Sequence, residues 1–177
     1  MAGHSHWKQI KTKKAASDQK KGALFSKLLN FVAVAARNEP NPQFNPRLRT
    51  AIEKAKEFGV PQENIERAVK RAQANPDELQ ELILEAYGPG GAAIIIQAVT
   101  DSKNRTIQEI KTILKERGSR LTEPGTAAWA FEKQTDSFDW KAKFLQVLPP
   151  AEKENLNRLI KILEEHDDVQ KIVSNIG

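Results

Sequence analysis

Apolar residues in the first 75 positions recur at steps of three and four, the spacing of helices that bury one face. Leu24, Leu28 and Phe31 form such a stripe and predict a helix that is capped by Ser17 and ends near Arg37. A proline-rich segment follows, and it stops the helix because proline lacks the amide proton and restricts the residue before it.

Two further helices are predicted from their end signals. Asn45 and Pro46 combine an N-cap with a proline at the first helical position, and Gly59 supplies a C-cap. The third helix begins at Pro61 and ends before Asn75. Three short amphipathic helices joined by tight turns predict a small helical bundle.

From residue 80 the period changes to two, which is typical of strands. An alternating segment at 82–87, a glycine-rich turn at 88–91 and a β-branched run at 93–99 predict a hairpin whose second strand is buried on both faces. A helix capped by Asn104 or Thr106 and stopped by Gly118 follows. Strands are then predicted at 126–131, 144–148 and 169–173, with a helix at 151–165 between the last two.

The predicted order from residue 92 is therefore β-α-β-β-α-β, the pattern of a ferredoxin-like antiparallel sheet with two helices on one face. The fold class is α+β. We expect a basic N-terminal arm and helical bundle at 1–77, followed by a ferredoxin-like α/β domain at 78–177.

Charge divides the chain in the same place. Residues 1–77 contain 15 lysines and arginines against 7 acidic residues, and residues 78–177 contain 13 against 16. The first 27 residues hold seven lysines and only one acid, Asp18. A polyanionic partner would therefore bind the first domain.

Five motifs carry a resemblance to the YebC/PmpR family. In chain order they are MAGHSHWKQIK, NPRLRTAIEKAKEFGVPQENIERAVKR, EAYGPGGAA, TDSKNRT and LIKILEEHDDVQ. The resemblance covers nearly the whole chain and implies a helical N-terminal domain followed by ferredoxin-like α/β domains. Members of this family are described as DNA-binding transcriptional regulators and as ribosome-associated translation factors that relieve stalling at proline runs.

The chain departs from the family pattern at two points. Family members usually carry lysine where this chain has His6. They also usually insert a third α/β domain where this chain has only a short link at 134–139. We expect a compact form that lacks the third domain, since the predicted sheet closes without it.

The candidate nucleic-acid-binding residues are cationic side chains of the arm and bundle, together with one tryptophan. Lysines release counterions from phosphates, and an indole can stack on an unpaired base. Trp7 has a second interpretation, as a packing anchor against the bundle. The candidates are Trp7, Lys8, Lys11, Lys13, Lys14, Lys20, Lys21, Arg47, Arg49, Arg67, Lys70 and Arg71.

The sequence shows no catalytic constellation, and we expect no enzyme, cofactor or small-molecule substrate. No metal site is expected, because the chain has no cysteine and the pair His4 and His6 has no acidic neighbour. The acidic run at 164–168 does not have the spacing of a calcium loop. No run of 18 apolar residues predicts a membrane span, and the cytoplasm is the expected compartment.

Three functions remain open. The favoured one is a ribosome- or rRNA-associated translation factor, since an arm with lysines and a tryptophan suits irregular RNA. The alternative is a DNA-binding transcriptional regulator, although base-reading residues are not clustered at the start of the third helix. A third hypothesis is a protein-interaction module without direct nucleic-acid binding.

Overall fold

A computed structural model of the chain describes the backbone of residues 4–134 and 139–177, and the side chains of residues 17–134 and 139–177. The helices are α1 His4–Ala36, α2 Pro46–Glu57, α3 Gln62–Ala74, α4 Lys103–Glu116 and α5 Pro150–Glu164. The strands are β1 Gln80–Tyr87, β2 Ala93–Thr100, β3 Arg120–Thr122, β4 Phe131–Lys133, β5 Trp140–Ala142 and β6 Val169–Ser174. Short 3-10 turns lie at Pro89–Gly91 and Ala128–Ala130.

The predicted three-helix bundle is confirmed. Its core is formed by apolar side chains of all three helices, with Val32, Leu48 and Ile65 almost completely buried. The predicted ends of α2 are confirmed, because Asn45 Oδ1 accepts the Leu48 N–H at 2.9 Å and Gly59 has a φ of +80°. Both ends of α2 therefore lie at the local signals that the sequence provides.

The predicted start of α1 is wrong, since Ser17 lies inside the helix and does not cap it. Residues 4–21 contain neither proline nor glycine, and once a helix has formed each further residue adds a hydrogen bond. The helix has 33 residues, whereas α2 has 12 and α3 has 13. At 1.5 Å per residue, the N-terminal half of α1 therefore extends beyond the two helices that pack against its other half.

The α/β domain is built on a four-stranded antiparallel sheet in the order β3-β1-β2-β6. Every residue of β2 is buried, as predicted. Ile110 of α4 and Leu156 and Leu163 of α5 pack against one face of the sheet. The other face is covered by the β4–β5 hairpin and the 3-10 turn before it, around Ile95 and Phe131.

The α+β fold class is confirmed: three N-terminal helices precede an antiparallel sheet with two helices on one face. The connection β2–α4–β3 places β1 between the two strands that it joins, as in a split βαβ unit. The expected domain boundary at 77/78 falls between α3 and β1.

Two predicted strands are wrong. Segment 126–131 contains a 3-10 turn that enters the short β4, because Glu85 binds the backbone amides of Gly125, Ala127 and Ala128 and so bends the chain here. Segment 144–148 is irregular and makes one isolated bridge, from Gln146 to Ile176. The sequence pattern missed β3 and β5, each of three residues. It also misplaced the cap of α4, which is Ser102.

Candidate nucleic-acid interface

The exposed part of α1 carries the first group of predicted cations. All side chains from 17 to 23 are exposed, and Lys20 and Lys21 lie among them. Within the described side chains, no carboxylate lies within 4 Å of either ammonium group. Lys21 Nζ lies 5.5 Å from the centre of the Phe25 ring. Trp7, Lys8, Lys11, Lys13 and Lys14 lie outside the described side chains.

Two predicted arginines lie at the junction between the bundle and β1. Arg47 forms an ion pair with Glu81 and lies 5.7 Å from the centre of the Phe31 ring. Arg71 Nε lies 3.6 Å from Glu78 Oε2, and its Nη2 donates to Asn30 on α1 at 3.1 Å. Both side chains connect the bundle to the α/β domain, so their charge is partly neutralised there.

The remaining predicted cations lie on the exposed faces of α2 and α3. Arg67 pairs with Glu63 at 2.8 Å one turn away. Arg49 and Lys70 are exposed, and none of the described carboxylates lies within 4 Å of them. Arg47 contacts α1 at Phe31 while Arg71 contacts it at Asn30, and successive helical residues point about 100° apart. Arg47 and Arg71 therefore lie beside different sides of α1.

The pattern missed two further cations, Lys54 and Lys56, in the last turn of α2. Cations at a helix C-terminus stabilise the helix dipole, and this signal was present in the sequence. Lys54 also lines a groove of about 330 Å³ between α1, α2 and β6, whose apolar walls include Leu24 and Phe58. Lys27 and Lys171 line the same groove, together with Asp139, which forms an ion pair with Lys171. The lining therefore carries a net positive charge.

Lys27 connects α1 to the end of α5 in the α/β domain. Its Nζ donates to the carbonyl oxygen of Glu164, at the end of α5, at 2.5 Å. Burial lowers the pKa of Lys27, and the negative charges of Asp167, Glu164 and Asp168 partly counteract this effect. The acidic run at 164–168 thus lies close to a lysine of α1.

Near the contact of Lys27 with α5, three potential metal-ligand atoms lie within 4.8 Å of one another. They belong to Glu109, His166 and Asp168. His166 Nδ1 accepts the Asp168 N–H at 3.1 Å, so the neutral ring carries its proton on Nε2, 2.9 Å from Glu109 Oε2. Asp168 Oδ2 accepts from Arg105 at 2.9 Å and from Thr106 at 2.6 Å.

Burial raises the pKa of Asp168, but the hydrogen bonds from Thr106 and Arg105 outweigh burial and hold that pKa below its ordinary value. The hydrogen bond to Asp168 also raises the pKa of Arg105. The Arg105 guanidinium already neutralises the Asp168 carboxylate, which a metal ion would need as a ligand. The geometry therefore fits a polar link between α4 and the start of β6 better than a metal centre.

Comparison with known protein families gives two matches in chain order. Residues 5–75 match the TACO1/YebC protein N-terminal domain, and residues 79–136 match the TACO1/YebC second and third domain. The chain belongs to the TACO1/YebC family. All twelve predicted binding residues lie within the first TACO1/YebC match. The second match ends at 136, in the connection between β4 and β5.

Curated TACO1/YebC relatives are 38–50% identical to this chain over the aligned residues. A protein of Aquifex aeolicus (strain VF5) is 48% identical over 137 residues, which are 76% of this chain and 55% of the relative. One of Petrotoga mobilis is 38% identical over 185 residues, covering 98% and 70%. Each is named a probable transcriptional regulatory protein. The chain spans about half the length of the first curated relatives it matches.

A solved structure has the same fold. The crystal structure of a conserved hypothetical protein from Aquifex aeolicus superposes with a TM-score of 0.80 at 31% sequence identity. The superposition covers 98% of this chain and 97% of that one. None of the helices in the described part of the chain is long and apolar enough to cross a membrane.

Proposed function

We propose that this chain is a non-enzymatic, nucleic-acid-binding regulator of gene expression that acts on ribosomal RNA within the ribosome. The observation that supports it is α1, which extends beyond the bundle and on which Lys20 and Lys21 are exposed, with no carboxylate within 4 Å among the described side chains. Phosphate contacts by such lysines supply most of the sequence-independent affinity for nucleic acid. Action on the ribosome implies the cytoplasm as its compartment.

The start of α3 argues against reading of duplex DNA by the α2–α3 pair. In a helix-turn-helix protein, the first residues of the second helix contact base edges in the major groove. Here that position carries Gln62, Glu63 and Glu66, and Arg67 is paired with Glu63. Two carboxylates at the entry to the groove would repel the phosphates on both sides. RNA on the ribosome does not require this helix to enter a groove.

A second candidate is a DNA-binding transcriptional regulator, and two observations favour it. The relatives are named probable transcriptional regulatory proteins. In addition, α1 is one continuous helix, and the major groove of DNA admits a helix. An irregular arm would have favoured RNA alone, whereas a basic helix fits either polymer.

A binding panel separates the candidates. The full chain would be titrated, at several salt concentrations, against fluorescein-labelled ribosomal RNA fragments, duplex DNA of matched length and purified ribosomes. The proposal expects tighter binding to ribosomes and rRNA than to DNA at 150 mM salt. A plot of the logarithm of the binding constant against the logarithm of the salt concentration should fall with a slope of several units, here called the log–log salt slope. Tighter binding to DNA would support the second candidate. No salt-dependent binding to any of the three would leave a protein-interaction module.

A further inference from the structure

Three aromatic side chains form a row on the α/β domain, on the sheet face that also carries the β4–β5 hairpin. Trp129 Nε1 donates to Tyr87 Oη at 3.2 Å, and the Trp129 and Phe144 rings lie 5.7 Å apart, tilted by 36°. Trp129 is 57% exposed and Phe144 is 51% exposed. Among the described residues, these two rings lie outside the buried clusters, so packing of the core does not account for them.

A cation lies over each end of this aromatic row. The Arg120 guanidinium carbon is 6.0 Å from the centre of the Tyr87 ring, and Lys143 Nζ is 5.4 Å from the centre of the Phe144 ring. No described carboxylate lies within 4 Å of either cation. Trp129 and Phe144 therefore present open ring surface between two positive charges that have no acidic partner in the described part of the chain.

The backbone holds the rings in place. Tyr87 Oη donates to the Thr126 carbonyl at 2.7 Å. Glu85 accepts from three backbone amides that all lie within the four positions before Trp129. On the other side of the row, the Lys143 and Phe144 amides both donate to the Ala130 carbonyl. A surface fixed in this way loses little conformational entropy when a flat ligand stacks on it.

We propose that the row Tyr87–Trp129–Phe144 binds unpaired bases of single-stranded RNA. Bases stack on exposed aromatic rings regardless of sequence, and the cations at both ends suit the phosphates on either side of a stacked base. The inference rests on the proposed function and deepens it, since it gives the α/β domain a direct contact to the same polymer that α1 binds through phosphates.

The adjoining segment offers a contrast. Leu145 and Val147 are 68% and 87% exposed, and an apolar protein partner would cover these side chains together with the rings. Such a partner would have to desolvate Arg120 and Lys143, whereas a nucleic acid supplies counter-charges for both. Charge complementarity therefore favours RNA as the occupant, and the segment 145–147 supplies the matched control.

The test uses the full chain and a fluorescein-labelled single-stranded RNA of mixed sequence, with the duplex of the same sequence as reference. Trp129→Leu keeps apolar bulk but removes the ring, and we expect a loss of affinity of about five- to hundredfold for the single strand. Its salt slope should stay unchanged, because no cation is removed. Trp129→Phe should bind within a few fold of the unaltered chain, and duplex binding should not change in either variant.

Phe144→Leu provides a second probe in case thermal denaturation shows that Trp129→Leu does not fold. The control is the double variant Leu145→Ala/Val147→Ala. Full affinity of both leucine variants for the single strand would overturn the inference. A loss of single-strand affinity in the control that equals the loss in the leucine variants would also overturn it, because the rings would then contribute no more than ordinary apolar surface does. If the unaltered chain binds no nucleic acid, the proposed function fails; if it binds and only lysine substitutions weaken it, the aromatic row alone fails.

Discussion

Glu85 is the side chain whose replacement should disturb the α/β domain most specifically. It lies on β1, is almost fully buried, and its carboxylate accepts three backbone N–H groups of one loop. The distances are 2.6 Å to the Gly125 amide, 2.7 Å to the Ala127 amide and 2.8 Å to the Ala128 amide. We expect Glu85→Gln to destabilise the protein and to loosen this loop, while the fold is kept.

The magnitude follows from these three contacts. Glutamine can place its oxygen where Oε2 accepts from Ala127 and Ala128, and these two bonds then lose their charge, at about 1 kcal/mol each. Its amide group then faces the Gly125 N–H, which loses its acceptor. Leaving this donor without a partner costs about 1–3 kcal/mol of stability. With allowance for relaxation and entry of water, we expect a decrease of about 2–4 kcal/mol in the free energy of unfolding.

Urea denaturation followed by far-UV circular dichroism would measure this loss, with Glu123→Gln as the control because Glu123 is an exposed carboxylate in the same loop. Hydrogen exchange of the Gly125, Ala127 and Ala128 amides should accelerate in Glu85→Gln and stay slow in the control. A decrease below about 0.5 kcal/mol, the range of ordinary surface substitutions, together with unchanged exchange, would refute the reasoning.

Three further substitutions test other parts of the fold. Asn45→Ala removes the acceptor of the Leu48 amide and should cost about 1–2 kcal/mol in urea denaturation. Asp168→Asn should cost about 1.5–3 kcal/mol of stability at neutral pH, since it weakens charged hydrogen bonds. Because the pKa of Asp168 is lowered in the folded chain, the contribution of this carboxylate to the free energy of unfolding should vanish as the pH falls through that lowered pKa. Burial lowers the pKa of Lys27, so the unfolded chain binds its proton more tightly, and the free energy of unfolding should rise between the lowered pKa and 10.5. Lys27→Met should abolish this rise, which pH-dependent urea titrations would detect.

The parts of the fold that local chemistry determines could be predicted from the sequence. The ends of α2 depend on Asn45 and Gly59, which lie beside the turns that they make. The burial of β2 follows from its unbroken apolar run. In the same way, the basic character of the first domain needs only a count of charges.

The remaining parts depend on contacts between residues far apart in the chain. The bend at 125–130 is imposed by Glu85, some 40 positions earlier, and no local pattern reveals it. The sequence predicts Arg47 as a cation of the binding surface, whereas the fold places Glu81 beside it. The start of α1 was missed for another reason: Ser17 is a good cap residue, but nothing before it stops a helix.

The central claim is that exposed lysines of α1 bind nucleic-acid phosphates, and the salt dependence of RNA binding tests it most directly. Lys20→Ala/Lys21→Ala would be compared with Lys111→Ala/Lys115→Ala, which removes two exposed lysines of α4 and the same net charge. If each α1 lysine neutralises one phosphate, the log–log slope should fall by about 1.4–1.8 units in the first variant and stay constant in the second. An equal slope for both variants and the unaltered chain would contradict the claim.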